Sequence, residues 1–246
     1  MTKYTFKSHF ATDFEYIKPQ NNRQTVIYLH GFCSNAWGQK PEAVKSICME
    51  QGLGFVRFDF AGHGSDADRF AEADFSVWQN QVFEIIEDVV KGDIVMIGSS
   101  MGGWISMLAA IRYPQRIKAL IGLAAAPNFV KRFNALITDE QKRQLEQSGS
   151  FMIVNNDFAY TITSRFVETA FNGCLPENGE KWAIKCPVYL LQGMKDASVP
   201  WREVLKYAEN IESDNVVVKL LKNSNHRLND DEAVAELRST IINVCM

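Results

Sequence analysis

Sulfur chemistry is scarce in this chain. Its 246 residues hold five cysteines, Cys33, Cys48, Cys174, Cys186 and Cys245, and no two are spaced C-x-x-C. An odd, scattered set excludes a disulfide framework and a cysteine zinc site. The five are expected to be small buried hydrophobes in a reducing compartment. An excess of positive charge is missing too: 26 Lys and Arg stand against 29 Asp and Glu, for a net charge of -3. Nucleic acids and anionic membrane surfaces are therefore poor partners for it. The first ten residues, MTKYTFKSHF, alternate in polarity and lack both the apolar core of a signal peptide and the Arg-rich character of a transit peptide. No membrane span is expected either. The longest apolar region, Ile94 to Ile111, is interrupted by Gly98, Ser99, Ser100, Gly102 and Gly103, as befits a buried strand turning into a helix. These absences together point to a cytoplasmic protein. Internal repeats are lacking, and 46% apolar residues exclude a disordered chain.

What is present is an alternation of short β-branched runs with longer helical patterns. Tyr4–Phe10 and Glu15–Lys18 read as an antiparallel pair. Strands are expected at Val26–Leu29, Phe55–Asp59, Ile94–Ile97, Leu120–Leu123, Val188–Leu191 and Val216–Leu220. Helices are expected at Pro41–Gln51, Val77–Val90 with Ser76 as N-cap, Met101–Arg112, Trp201–Asn210 and Asp231–Val244. Repeated βα units imply an α/β fold with a mostly parallel central sheet and helices on both faces. Residues 1–246 are expected to form one domain. Between Pro127 and Cys186 the rhythm breaks, with helical patterns at Asn134–Gln147 and Thr163–Phe171 and no evident strand. So long a stretch is read as a small helical lid, residues 128–185, inserted between two strands.

The strongest local signal is Gly98-Ser99-Ser100-Met101-Gly102, a G-x-S-x-G centred on Ser100. A nucleophile on a sharp strand-to-helix turn has strained backbone angles, and side chains at the glycine positions would strike the neighbouring backbone. The flanking IVMI and WISMLAAI are the strand and helix that such a turn requires. A serine hydroxyl needs a base, and His226 follows the last strand in the loop KNSNH. An imidazole needs a carboxylate to fix its tautomer, and Asp196 follows the strand Val188–Leu191. Asp59 also ends a strand, but it precedes the serine in the chain. Two N–H donors should face the developing oxyanion. One is that of Met101, next to Ser100; the other is that of Phe32 in His30-Gly31-Phe32, with Cys33 the neighbour that competes for the part. His9, His30 and His63 are expected to be structural. No cluster has metal-ligand spacing, and neither a metal nor a cofactor is expected.

RFDFAGHGSD, GSSMGGWISMLAA, LLQGMKDASVPW and SNHR together resemble the serine α/β-hydrolases over nearly the whole chain from Val26. The order Ser100, Asp196, His226 is the order of that family. More narrowly, Trp104 after the elbow, MKDASVPW and NHR are similar to the branch of acyl-glucuronide esterases and protein depalmitoylases. The resemblance implies the α/β-hydrolase fold and a serine hydrolase of carboxylic esters or thioesters, working through an acyl-enzyme. Its substrate would be a small-molecule ester or thioester, or an acylated protein. A non-catalytic binding protein on the same fold, or an amidase, peptidase or acyltransferase with the same triad, is the alternative. The lid segment is rich in aromatics: Phe129, Phe133, Phe151, Phe158, Tyr160, Phe166 and Phe171. They either form the lid's own core or roof the substrate pocket, with Phe151 and Phe158 the candidates to face Ser100.

Overall fold

Ile94–Ser99 is buried at every residue and apolar from Ile94 to Gly98, so it is covered on both faces, and its side chains alternate between them. Ile94 and Met96 enter one core cluster, with Trp78, Trp104 and Ile105; Val95 and Ile97 enter a second, with Val44, Ile47, Leu237 and Ile241. That split makes it the middle of the molecule. The computed structural model describes residues 2–155 and 158–245, the side chains of Asn155 and Phe158 excepted.

In chain order the elements are β1 (Thr2–Thr5), β2 (Ala11–Ile17), β3 (Thr25–Leu29), α1 (Gln39–Glu50), β4 (Gly54–Phe58), a 3-10 segment (Gly64–Glu72), α2 (Phe75–Glu84), β5 (Ile94–Ser99), α3 (Met101–Arg112) and β6 (Ile117–Leu123). They continue as α4 (Phe129–Leu136), α5 (Asp139–Ser148), β7 (Ser150–Asn155), β8 (Phe158–Thr163), α6 (Ser164–Asn172), β9 (Val188–Gly193), α7 (Trp201–Asn210), β10 (Val216–Leu221) and α8 (Asp231–Cys245). Eight strands form one sheet in the order β1-β2-β4-β3-β5-β6-β9-β10. β1–β2 and β2–β4 pair antiparallel, and every pair from β4 to β10 is parallel. Parallel strands end on the same side, so the loops after β3, β5, β9 and β10 open on one edge. The region Ile94–Ile111 is β5 and α3, and no helix among the described residues is long and apolar enough to cross a membrane. All five cysteines are free.

Three local expectations change. The first strand stops at Thr5, because a turn closes it: Phe6 donates to the Phe10 carbonyl and His9 adopts φ 64°. The helix expected from Ser76 is capped instead by Asp74, whose carboxylate accepts from the Val77 amide at 3.0 Å. Its last residues, Ile85–Val89, widen into a π-turn. The insert between β6 and β9 is not purely helical. Asn134–Gln147 breaks at Thr138, which starts α5 with a capping box closed by Gln141. β7 and β8 then pair as an antiparallel hairpin. Their alternation is visible in the sequence as Phe151, Ile153 and Tyr160, Ile162, a period of two that the surrounding helical patterns hide. Asn128 clasps the two ends of the insert, its side-chain amide donating to the Leu175 carbonyl (2.8 Å) and its oxygen accepting from the Leu175 amide (2.7 Å).

Candidate active site

β5 delivers Ser100 to its carboxyl end, where the chain reverses into α3. Ser100 sits at φ 52°, ψ −116°, a conformation that side-chain-bearing residues avoid unless their surroundings hold it. The holding is by hydrogen bonds: its amide donates to the Leu123 carbonyl, and its own carbonyl accepts from Gly103, Trp104 and Ala126. A Cβ at Gly98 would lie 2.3 Å from the Gly102 carbonyl oxygen, and one at Gly102 would lie 2.4 Å from that of Leu29. Only glycine allows so close an approach on both sides of the serine.

β9 and β10 end beside each other, which brings two loops together. His226 Nδ1 is 2.7 Å from Asp196 Oδ2. Asp196 also accepts from Gln192 Nε2 (2.9 Å) and from the amides of Ser198 and Val199 (2.8 Å each). Burial pushes its carboxyl up, but the bonds from His226, Val199 and Gln192 and the charge of His226 outweigh that and hold it below the usual range. A carboxylate on Nδ1 fixes the tautomer that leaves Nε2 free to accept a proton. Gln192 is a partner that the sequence reading missed; a fully buried amide at the end of a strand was its only signal. Ser100 and His226 line one cleft of about 400 Å³ with Gly31, Phe32, Cys33, Lys40 and Asn229. No hydrogen bond joins the two among the described residues; such contacts tighten when substrate binds.

Asp59 has other work. It accepts from the Ala36 amide (2.7 Å) and from the Trp37 indole (2.9 Å), fully buried, and so braces the loop after β3. In that loop the Cys33 amide is already engaged, donating to His63 Nε2 at 3.2 Å. The amides of Phe32 and Met101 have no acceptor among the described residues. Lys40, also unforeseen, reaches into the cleft and donates to Ser99 Oγ at 3.0 Å. Burial pulls its ammonium down to about 8, against a smaller opposite pull from Asp196.

Phe151 departs from expectation. It is 4% exposed, stacks on Phe133 with ring centres 6.2 Å apart, and is not among the residues lining the cleft. Its strand turns it toward the interior of the insert, because Met152 and Val154 take the outward positions of the alternation. The side chain of Phe158 lies outside the described residues. The insert instead meets the site through Phe32, whose ring stacks on Phe166 (5.2 Å) and packs against Phe129 (5.3 Å). Among the described residues no group of three or more His, Cys, Asp or Glu is placed to hold a metal ion.

A parallel sheet with a strained serine elbow at its centre, and an aspartate–histidine pair on the later strands, defines the serine hydrolases of α/β-hydrolase fold. The chain belongs to the family described as serine aminopeptidase, S33, whose pattern it matches over residues 20–233. It is similar to the mitochondrial palmitoyl-protein thioesterase ABHD10 of Rattus norvegicus, 36% identical over 220 residues that cover 88% of this chain and 73% of the relative. The Homo sapiens protein of the same name is 33% identical over 230 residues, covering 92% and 74%. Among solved structures, alpha/beta hydrolase domain-containing protein 10 from mouse superposes with a TM-score of 0.86 at 32% identity, over 99% of this chain and 97% of that one. These relations make the chain an esterase or thioesterase, a hydrolase of carboxylic esters or thioesters. They also correct the expected location. The relatives from rat, mouse, cattle and human are all named mitochondrial, which points away from the cytoplasm.

Proposed function

We propose that Ser100 is the nucleophile, that His226 is its general base and acid, and that Asp196 orients His226. Ser100 Oγ attacks the acyl carbon while His226 Nε2 takes its proton; the same proton then passes to the departing alcohol or thiol, leaving an acyl-Ser100 ester. Water, deprotonated by His226, attacks that ester and releases the acid and free Ser100. The amides of Phe32 and Met101 hold the oxyanion, since neither has an acceptor among the described residues whereas that of Cys33 is spent on His63. The observation that carries this reading is the 2.7 Å bond from His226 to Asp196 at the edge of the cleft that Ser100 lines.

The favoured substrates are acyl thioesters, including acyl groups on protein cysteines, which the names of the palmitoyl-protein thioesterase relatives support. Residues 128–185 act as the lid, contacting the site through the Phe32 ring rather than through Phe151. The test is a panel of p-nitrophenyl esters, acyl thioesters of graded length up to palmitoyl, and aminoacyl anilides, run beside Ser100→Ala. Thioesters should be cleaved fastest. Preferential cleavage of the anilides would favour the peptidase activity in the family's description.

A further inference from the structure

Two histidines take no part in that proton transfer, yet both are 1% exposed and stand against the oxyanion loop. His30 Nδ1 lies 2.8 Å from the Gly31 carbonyl oxygen, and its Nε2 accepts from the Phe60 amide at 3.0 Å. The acceptor role of Nε2 leaves the proton on Nδ1, so His30 donates to Gly31. His63 is wired the other way. Its Nε2 accepts from the Cys33 amide at 3.2 Å, and Nδ1 donates to the Ala61 carbonyl at 3.1 Å. The ring centres are 5.0 Å apart.

These contacts fall on consecutive peptide groups. The Gly31 carbonyl and the Phe32 amide belong to one planar peptide and point in opposite directions. Holding the carbonyl therefore aims the amide. The Cys33 amide belongs to the next peptide, and Cys33 itself is held at φ 52°. A Cβ on Gly31 would lie 3.2 Å from Ser100 Cβ, so the aimed peptide runs directly against the serine. We propose that His30 and His63 are positioning residues for the oxyanion hole, each locking one of the two peptides that flank Phe32. Burial keeps both rings neutral, His30 down to about 4 and His63 well below its ordinary value, helped for His63 by the neighbouring ring of His30. Each ring so keeps one donor and one acceptor at neutral pH.

The inference rests on the reading of Phe32 as an oxyanion donor, and amide side chains can test it atom by atom. Asparagine reproduces a group at the Nδ1 position and glutamine one at the Nε2 position. His30→Asn keeps the donor to Gly31, whereas His30→Gln keeps only the acceptor for Phe60. His63→Gln keeps the acceptor for Cys33, whereas His63→Asn keeps only the donor to Ala61. His30→Asn and His63→Gln should retain kcat within about tenfold, while His30→Gln and His63→Asn should lose roughly 10²-fold in kcat at unchanged KM. Affinity for an alkylboronic acid, which mimics the tetrahedral state, should fall in step with kcat/KM. The same kcat in both variants at one position, or losses that follow melting temperature alone, would overturn the assignment. A measurement on the unaltered protein guards against variants that fail to fold: on binding the boronic acid, the Phe32 amide proton should move downfield and that of Cys33 should stay. Movement of Cys33 alone overturns the inference. Ser100→Ala run alongside separates the two claims, since activity surviving there would sink the site reading and the inference with it.

Discussion

Ser100, Asp196 and Lys40 each carry a prediction that belongs to one side chain. Ser100→Ala should abolish ester and thioester hydrolysis, with a fall on the order of 10⁶ in kcat, and leave the melting temperature nearly unchanged. Retention of activity within tenfold of the unaltered enzyme would contradict the nucleophile. The two candidate acids should separate cleanly. Asp196→Asn should lower kcat with the fold intact, because it acts on the tautomer of His226. Asp59→Asn should act on stability first, because it holds the Ala36 amide and the Trp37 indole. Lys40 makes a different claim. Its ammonium is pulled from an ordinary 10.5 to about 8, so between those values the unfolded chain binds more protons than the folded one. Stability from this group therefore rises with pH across that window and is lowest below it. Lys40→Met should raise the melting temperature at pH 7, with the gain shrinking as pH rises from about 8 toward 10.5. A lower melting temperature at pH 7 would show that the bond to Ser99 matters more than the buried charge.

Among the elements, the insert is where sequence periodicity and structure diverged. Its helices α5 and α6 were legible from spacing, but α4, of which only the last residues fell in an expected pattern, and the β7–β8 hairpin were not, because each strand is only six residues long and sits between helical patterns. The packing also changes what its aromatics are expected to do. Phe151→Ala should cost about 3–5 kcal/mol in a urea or thermal melt, as removal of a buried phenylalanine does, and leave acyl-chain preference unchanged. A shifted chain-length profile would return Phe151 to the substrate pocket. The elbow, by contrast, was legible down to single residues. G-x-S-x-G between an apolar strand and an apolar helix is set by backbone clearance, and the two residues that clearance requires to be glycine, Gly98 and Gly102, flank the serine in the sequence.

For the whole molecule, buried histidines set the response to acid. His30 and His63 bind protons in the unfolded chain near their ordinary 6.5, but in the folded state only near 4 for His30 and well below 6.5 for His63. Stability should therefore fall as pH drops from about 6.5 toward 4, by roughly 3 kcal/mol from His30 alone. Asp196 adds a loss at lower pH: its depressed carboxyl stabilises the fold above the ordinary carboxyl value of 3.8, and that contribution disappears as pH falls through its folded value. Melting temperature recorded against pH should show the first fall well before the carboxylates titrate, and His30→Asn should flatten it. A curve level down to pH 4 would contradict the burial of these rings as neutral groups.

The sequence by itself determined the alternation of strands and helices, the serine elbow, and the chain order of serine, aspartate and histidine. Those features are local: they depend on periodicity and on glycines adjacent to one serine. The tertiary structure decided what depends on distance between remote segments. It paired His226 with Asp196 across 30 positions of sequence and withdrew Asp59 to brace a loop. It engaged the Cys33 amide with His63, 30 residues away, while the Phe32 amide has no acceptor among the described residues. It turned Phe151 into the insert, because the face a strand presents to the core is fixed by what packs against it. No spacing rule reports which buried polar group meets which, since a folded chain satisfies its donors and acceptors through neighbours that only the packing brings together.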